Sequence, residues 1–261
     1  MSLIGCGGLG SNQAKMFVQM GFGQVDVVEP DRVEDSNRNR QLFKAEDVGL
    51  PKAHRVLNNI EPYAVYRTVL RGYFMTFQEW ARLPSRTRYD AICCGVDCIP
   101  TMVAVSQYGF AQHVPVVFTN VSRDGEACRI FIQRPGHTDP CFACYRPQAL
   151  DHRVYRDQPC IPQPAISDIL HVAVGFGARA AVGEILGLPI SDTFNCRDIT
   201  FGGFDIAKNI AKRVDCPLCG EARPPSAAKS SGSQKVITSR SPGIKRQRRE
   251  ISPGFKGPNR D

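Results

Sequence analysis

The chain has 261 residues, of which 42% are hydrophobic, and 33 lysines and arginines against 25 acidic residues give it a formal charge of +8. This composition excludes collagen-like and wholly disordered chains, and the length fits one large domain with or without a tail. Residues 221–261 hold ten basic and three acidic residues and carry +7, so residues 1–220 carry only +1. The body of the chain therefore lacks the positive excess that is typical of nucleic-acid binding.

Short apolar strands alternate with helices along the chain, and this order predicts an α/β fold. The predicted strands are residues 1–4, 24–28, 65–69, 89–93, 115–121, 127–133 and 198–204. The predicted helices are residues 11–20, N-capped by Ser11, and residues 51–60, 76–83, 99–113 and 166–186. Such alternation predicts a mostly parallel sheet with helices on both faces, and residues 127–133 are expected to begin an antiparallel extension.

Three stretches of the sequence indicate where the domain ends, whether the chain spans a membrane and in which compartment the protein is expected. Residues 1–220 are expected to form the domain, and residues 221–261, rich in Pro, Ser, Gly and basic residues, are predicted to be a disordered tail. The uncharged run from Cys98 to Ser122 contains Pro100 and Asn120 and is interpreted as a buried helix and strand, not a membrane span. The glycines at residues 5–10 interrupt any signal-peptide pattern, so we expect a cytoplasmic protein.

A glycine-rich loop follows the first strand and opens the first helix. Gly5, Gly7, Gly8 and Gly10 would let the backbone approach phosphates, and a helix N-terminus favours their negative charge. Glu29, at the end of the second strand, is placed to accept ribose hydroxyls. By itself this loop also fits a dinucleotide site of the NAD type, or a tight turn without a ligand.

The polar segment after the second strand favours a triphosphate over a nicotinamide. Arginine forks and a lysine charge neutralise phosphate oxygens, and Arg40 and Lys52 supply both. Asp97 follows another strand at the edge where open α/β sheets bind ligands, and it could hold Mg²⁺. The alternative is a solvated charged loop with an ordinary aspartate at a strand end.

The eleven cysteines, an odd number without a secretory signal, argue for metal or thiol chemistry over disulfides. Two CxxC pairs, Cys141 with Cys144 and Cys216 with Cys219, are separated by 71 residues. Four thiolates suit tetrahedral Zn²⁺, and a closed set of ligands predicts a structural role. A redox dithiol and unrelated buried cysteines are the alternatives. Cys93 and Cys94 end a strand and are expected in the core.

These motifs in combination closely resemble the ThiF/MoeB/HesA family, the ubiquitin-activating-enzyme-like adenylyltransferases, over about residues 1–220. The matching residues are Gly5-x-Gly7-Gly8-Leu9-Gly10-Ser11, Asp31-x-Val33-x-x-Ser36-Asn37-x-x-Arg40-Gln41, Gly49-x-x-Lys52-Ala53 and the two CxxC pairs. The resemblance implies a Rossmann-like fold, ATP and Mg²⁺ as cofactors, a structural Zn²⁺ and a homodimer. It also implies adenylation of the C-terminal glycine carboxylate of a ubiquitin-like or sulfur-carrier protein.

The resemblance also implies roles for individual residues. The glycine loop would cradle the nucleotide, with Glu29 at the ribose and Asp31 beside it. The phosphate contacts would come from Asn37, Arg40 and Lys52, with Asp97 placing Mg²⁺. In members that transfer sulfur, a cysteine in the region of Cys160 forms a thioester or acyl disulfide with the partner, so Cys160 is a candidate nucleophile.

The sequence departs from the family pattern at three points, and it leaves three other functions open. The chain begins at the first strand, without the leading helix that family members carry; Glu29 stands where an aspartate is usual; and Cys98 replaces an asparagine. A catalytically inactive binding partner of a ubiquitin-like system is one alternative. Adenylation of a peptide or a tRNA-modification carboxylate is another. Nucleic-acid binding through the basic run at residues 245–249 is a third.

Overall fold

The protein is described from a computed structural model, which covers residues 1–84, 87–122, 124–136, 138–151, 167–188, 194–200, 202 and 205–220. The predicted tail at residues 221–261 and Cys160 lie outside these residues. The strands are β1 (Ser2–Ile4), β2 (Gln24–Val28), β3 (Val69–Tyr73), β4 (Ile92–Cys94), β5 (Val116–Val121), β6 (Ala127–Gln133), β7 (Cys196–Thr200) and β8 (Asp205–Lys208). The helices are α1 (Gly8–Gln19), α2 (Lys52–Ile60), α3 (Phe77–Ala81), α4 (Ile99–Gln112), α5 (Phe142–Tyr145) and α6 (Ser167–Leu186).

The eight strands form one sheet in the order β3-β2-β1-β4-β5-β6-β7-β8. Strands β3, β2, β1, β4 and β5 run parallel to one another. Strands β6, β7 and β8 each pair antiparallel with the strand before them. The predicted fold class, a mostly parallel sheet extended by antiparallel strands, is therefore confirmed.

Alternation along the strands creates a separate core on each face of the sheet. Leu3, Val27 and Val117 pack with apolar residues of α1, α2 and α6 on one face. Ile4 and Phe118 pack with residues of α3, α4 and α5 on the other. Buried residues on both faces explain why these strands read as continuous apolar runs in the sequence. The prediction that helices cover both faces of the sheet is confirmed.

The third predicted strand, residues 65–69, is wrong. Val65 is 79% exposed, and β3 instead covers Val69–Tyr73 beside β2. Gly72 breaks the apolar pattern of this strand, yet the fold needs a glycine there, because a Cβ would lie 2.7 Å from the carbonyl oxygen of Ala53. An edge strand that is only partly buried carries a weak apolar signal, which explains the four-residue error.

Several other limits differ from the prediction by a few residues, among them the start of β4, which is Ile92 instead of residue 89. The first helix begins at Gly8 with Gly7 as its N-cap, so three residues of the glycine loop already belong to the helix. The last strand was expected at residues 198–204, but β7 ends at Thr200 and β8 follows at residues 205–208. Strand β8 is exposed along its length, so it lacks the apolar pattern that marks buried strands.

The long helix α6 lies against α1, β5 and β6. The helix packs closely at Gly177, where a Cβ would lie 2.5 Å from Thr119 Oγ1. Gly175 has more room, since a Cβ there would meet nothing within 4 Å among the described residues. Among the described residues, the stretch Asp168–Leu186 of α6 is long and apolar enough to cross a membrane. Half of that stretch is buried inside the protein, as is common for core helices.

Candidate functional site

The carboxyl ends of β2, β1 and β4 meet at one edge of the sheet. Strand β1 pairs in parallel with β2 on one side and β4 on the other. The chain leaves β1 for β2 in one direction, while β4 and β5 continue the sheet in the other, so the strand order reverses here. Open α/β sheets bind ligands in the crevice outside such a reversal. The glycine loop, Glu29 and Asp97 all follow these three strands.

The glycine loop is tight and ends in an uncapped helix. Gly5 has φ +91°, and a Cβ on Gly10 would lie only 1.9 Å from the carbonyl oxygen of Gly5, so the backbone itself requires glycine at both positions. A Cβ on Gly7 would meet nothing within 4 Å of the described chain. Nor does any described side chain cap the N-terminus of α1. The loop therefore offers helix N–H groups and open space to an anion.

Glu29 joins this loop to the segment that follows β2. Its side chain is buried, with 6% of the residue exposed. Its Oε2 accepts the backbone N–H of Cys6 at 2.5 Å, and its Oε1 accepts that of Asp31 at 3.1 Å. Burial raises the pKa of Glu29, and the charge of Asp31 adds to this, while the Cys6 N–H opposes it. Each oxygen keeps a further lone pair with which it could accept a ribose hydroxyl.

Lys52 is the first residue of α2 and is held by Asp31. Its Nζ lies 3.1 Å from Asp31 Oδ2, and its backbone N–H donates to the Asp31 carbonyl at 2.9 Å. Lys52 is buried, whereas the Asp31 side chain is 64% exposed. The ammonium group therefore has a fixed stem and one solvent-facing anionic partner, which a phosphate could replace.

Arg40 lies beside the first turn of α1. The side chain of Asn12 donates to the Gly8 carbonyl at 2.7 Å and to the Arg40 carbonyl at 3.1 Å, which ties Arg40 to the glycine loop. The Arg40 guanidinium donates to the Ser36 carbonyl at 3.2 Å and to Asn39 Oδ1 at 2.8 Å. This brings an arginine next to the helix N-terminus, as the sequence motif predicts.

Asn37 and Asp97 complete the predicted set. Asn37 is buried, and its Oδ1 accepts the N–H of Glu34 at 2.9 Å, so it shapes the turn that precedes Arg40. Asp97 is exposed three residues after β4. The segment that carries it is held by the Gly95 N–H, which donates to the Ile4 carbonyl at 3.0 Å. An exposed carboxylate beside a loop that could hold phosphate suits a hard cation such as Mg²⁺.

The four cysteines of the two CxxC pairs form one cluster, in which three are buried and Cys219 is partly buried. Their sulfur atoms all lie within 4.8 Å of one another. The Sγ–Sγ distances are 3.4 Å from Cys141 to Cys216, 3.4 Å from Cys144 to Cys219, and 3.9 Å from Cys141 to Cys144. Sulfurs bonded at about 2.3 Å to a tetrahedral Zn²⁺ would lie about 3.8 Å apart. The cluster therefore fits zinc, with no ligand position left open.

Backbone groups around the cluster support this fit. The N–H of Arg213 donates to Cys144 Sγ at 3.3 Å. A Cβ on Gly220 would lie 2.4 Å from the Val214 carbonyl oxygen, so the turn after the second pair needs glycine. Burial raises the pKa of Cys216, but the amide N–H groups of Cys219 and Leu218, together with the thiols of Cys141 and Cys144, outweigh it and lower the pKa to about 7, whereas burial raises the pKa of Cys141 and Cys219. A thiolate is the form that binds metal.

The two cysteines of β4 confirm the expectation of core positions. Cys93 and Cys94 are fully buried, and burial raises the pKa of each to about 12. Cys6, in the glycine loop, is fully buried as well. Thiols of this kind are poor nucleophiles.

Two residues that shape this edge were not predicted from the sequence. Asn12 bridges α1 to Arg40, and Asp47 is a buried carboxylate between Arg40 and Lys52. Arg55 and Asn59, which contact Asp47, are four residues apart on α2 and so share one face of the helix. That spacing is the one local signal that could have pointed to a partner for Asp47.

Comparison with known proteins gives a consistent result. The sequence profile of the ThiF family matches residues 1–218. A sulfur carrier protein adenylyltransferase from Thermus thermophilus is 27% identical over 228 residues, which are 84% of this chain and 81% of that protein. The adenylyltransferase and sulfurtransferase UBA4 of Kluyveromyces lactis is 27% identical, over 85% of this chain and 50% of that protein. Rice ubiquitin-like modifier-activating enzyme 5 is 30% identical, over 56% of this chain and 38% of that protein.

The solved structures that resemble this chain share its fold. Escherichia coli MccB, crystallised with ATP, superposes with a TM-score of 0.68 at 20% identity, over 84% of this chain and 66% of that one. A second similar structure, PaaA, gives a TM-score of 0.61 at 18% identity. The chain spans half or less of the UBA4 and rice proteins and about two thirds of the MccB chain.

Proposed function

Because the chain belongs to the ThiF family, we propose that it is an ATP-dependent adenylyltransferase acting on the C-terminal glycine carboxylate of a ubiquitin-like or sulfur-carrier protein. One observation carries the proposal: an uncapped glycine loop, Arg40, Lys52 and Asp97 lie at the same edge of the sheet. The Thermus thermophilus and rice relatives, named for carrier and ubiquitin-like substrates, support this substrate class.

The reaction requires the protein to position the two reactants and to neutralise their negative charge. One oxygen of the glycine carboxylate attacks the α-phosphorus of ATP and forms an acyl phosphate bond. The bond from that phosphorus to the oxygen that bridges to the β-phosphate breaks, and pyrophosphate leaves with the electron pair. No proton has to move, since the attacking carboxylate is ionised at neutral pH. Bringing two anions together is the main barrier, and cationic groups lower it.

The residues at the edge divide this work. The N–H groups at the start of α1 would hold phosphate oxygens, and Glu29 would accept ribose hydroxyls beside Asp31. Lys52 would exchange its bond to Asp31 for a phosphate oxygen, and Arg40 would turn from Ser36 and Asn39 towards the triphosphate with Asn37 shaping its turn. Asp97 would hold a magnesium ion, which neutralises phosphate charge when bound.

The thiol cluster would hold a structural zinc ion. It joins the segment after β6 to the segment after β8, which are far apart in the chain. All four positions of a tetrahedral ion would be filled by sulfur, so the ion would stabilise the fold without taking part in adenylation.

Later steps and assembly remain part of the proposal. Transfer of the adenylated carboxylate to a thiol or a sulfur donor would need a nucleophile, and Cys160 is the candidate for it. We also propose that the protein works as a homodimer in the cytoplasm, a state that size-exclusion chromatography with light scattering would measure.

ATP–pyrophosphate exchange tests the adenylation directly. Candidate ubiquitin-like and sulfur-carrier proteins should support exchange with an intact terminal glycine and lose it when that glycine is removed or amidated. Lys52→Ala should lower the exchange rate by about 10²-fold, because one cation is lost from the developing charge. Lys208→Ala is the matched control, since Lys208 pairs with Asp198 at the far edge of the sheet and should leave exchange unchanged.

Three outcomes would contradict parts of this proposal. Exchange that persists in Lys52→Ala would refute the role of Lys52. Exchange supported by a short peptide but by no folded carrier would favour a peptide substrate. Absence of exchange with every carboxylate offered would favour a non-catalytic partner of a ubiquitin-like system.

A further inference from the structure

Asp47 is a buried carboxylate with no part in the proposed reaction. It is fully inaccessible to solvent, and three groups donate to it. Its Oδ2 accepts the backbone N–H of Lys44 at 2.8 Å and Asn59 Nδ2 at 2.6 Å, and its Oδ1 accepts Arg55 Nε at 2.5 Å. An ionised carboxylate away from water is stable only with such a complete set of partners. The question is what this cluster holds in place.

Asp47 and its three donors connect the polar segment that follows β2 to α2. Asn59 Nδ2 also donates to the Leu42 carbonyl at 2.9 Å, two residues after Arg40. The Asp47 carbonyl accepts the N–H of Leu50 at 3.0 Å, two residues before Lys52. Asp47 therefore contacts both halves of the segment that separates the two cationic residues, and it fixes that segment on the helix that begins with Lys52.

The other end of the segment is fixed by a different element. Asn12 of α1 holds the Arg40 carbonyl, so Arg40 is anchored to the glycine loop. With Asp47 anchoring residues 42–50 to α2, the spacing between Arg40 and Lys52 depends on both anchors. Burial raises the pKa of Asp47, but the donors from Lys44, Asn59 and Arg55 outweigh it and lower the pKa below its ordinary value. The carboxylate therefore stays ionised across the neutral range.

We propose that Asp47 is a positioning residue for nucleotide binding, which sets the distance between Arg40 and Lys52 by fixing residues 42–50 on α2. The proposal rests on the proposed function in that both cations are assigned to the triphosphate. Asp47 touches neither ATP nor the carrier, and its effect passes through the two cations. Its loss should therefore weaken binding of ATP and leave recognition of the carrier protein unchanged.

The direct test replaces one carboxylate oxygen by an amide. In Asp47→Asn an NH₂ group faces one of the donors from Lys44, Asn59 or Arg55, so one buried contact is lost and the segment loosens. We expect the Kd for ATP, measured by calorimetry on the full chain, to rise about tenfold. The KM for the carrier in ATP–pyrophosphate exchange should stay within twofold. Hydrogen exchange should speed up at residues 42–50 and stay slow in the strands of the sheet.

Asp35→Asn is the matched control. Asp35 lies in the same polar segment and makes an ion pair with Arg38, but its side chain is 78% exposed. Exposed pairs of this kind contribute little, so this variant should match the wild type in every measurement. Should Asp47→Asn not yield folded protein, Asn59→Ala removes one of the three donors to Asp47, together with the bond to the Leu42 carbonyl, and should raise the Kd for ATP by about threefold.

Calorimetry keeps this proposal separate from the proposed function. If the wild type binds ATP but catalyses no exchange, adenylation fails while the effect of Asp47 on binding is still measured. The proposal is overturned if Asp47→Asn binds ATP within twofold of the wild type. It is also overturned if the KM for the carrier rises as much as the Kd for ATP, or if hydrogen exchange speeds up equally throughout the sheet, since Asp47 would then support the fold in general.

Discussion

The thiol cluster and the carboxyl edge of the sheet differ in what their side chains contact. In the cluster, four sulfur atoms face one another, and three of the four cysteines are buried. At the edge, Lys52 is bonded to Asp31, Arg40 is bonded to Ser36 and Asn39, and Asp97 faces solvent. In the cluster, the side chains surround one position that a metal ion could take. At the edge, the side chains of Lys52 and Arg40 instead contact neighbouring groups of the loops.

This difference follows from what each region has to do. A structural metal ion stays bound, so its ligands can be enclosed and directed at one centre. A nucleotide must enter and leave, so the charges that meet it must be able to change partners. At the edge, rigidity comes instead from buried carboxylates that hold backbone: Glu29 holds Cys6 and Asp31, and Asp47 holds Lys44.

The largest effect is expected from removing one ligand of the cluster. Cys216→Ser should reduce zinc from one ion per chain to nearly none, because three thiolates leave the tetrahedral site incomplete. A structural zinc contributes about 10–16 kcal/mol of binding free energy in zinc-finger peptides, so the thermal midpoint should fall sharply. Metal analysis by mass spectrometry and a thermal melt would measure both quantities.

Cys196→Ala serves as the control for the cluster. Cys196 is fully buried but belongs to a different core cluster, with Phe131 and Phe142. It should lose some stability from the smaller side chain and keep its zinc. Equal zinc loss in both variants, or no zinc in the reduced wild type, would contradict a zinc site at the cluster.

A smaller effect is expected at Asp97. Asp97→Asn removes the charge but keeps the shape, and exchange should fall by about tenfold or more at low magnesium and recover partly as magnesium is raised. Asp90→Asn is the control, because Asp90 is also exposed but precedes β4, at the opposite edge of the sheet. Magnesium titrations of the exchange rate would compare them. An unchanged magnesium dependence in Asp97→Asn would separate this residue from the metal.

The smallest effect is a pH dependence at Glu29. Its pKa is raised in the folded protein, chiefly by burial, so the folded state holds this proton more tightly than the unfolded state does. Stability from this group is therefore complete below the unfolded pKa of about 4.3 and is lost as pH rises through the higher folded pKa. Urea unfolding at several pH values should show the wild type losing free energy of unfolding relative to Glu29→Gln as pH rises. If the free energy of unfolding of the wild type, relative to that of Glu29→Gln, stays constant or increases as pH rises, the burial argument is contradicted.

Much of the fold and of the edge was predictable because the signals are local. Glycines at positions 5 and 10 are required by backbone sterics within six residues of chain, and a CxxC pair brings two thiols together by its own spacing. Buried strands such as β2 and β5 produced apolar runs that fixed their positions. Where burial was partial the pattern failed, as at β3 and β8.

The sequence by itself determined which residues are chemically able to hold a phosphate or a metal, and the order in which helices and strands follow one another. Only the tertiary structure decided that two CxxC pairs 71 residues apart share one centre, that Glu29 holds the amide of Cys6, and that Asp47 holds the segment between Arg40 and Lys52. The physical reason is that a buried polar group takes whichever donor the packing of distant segments places within about 3 Å, and such pairs leave no periodic trace in the chain.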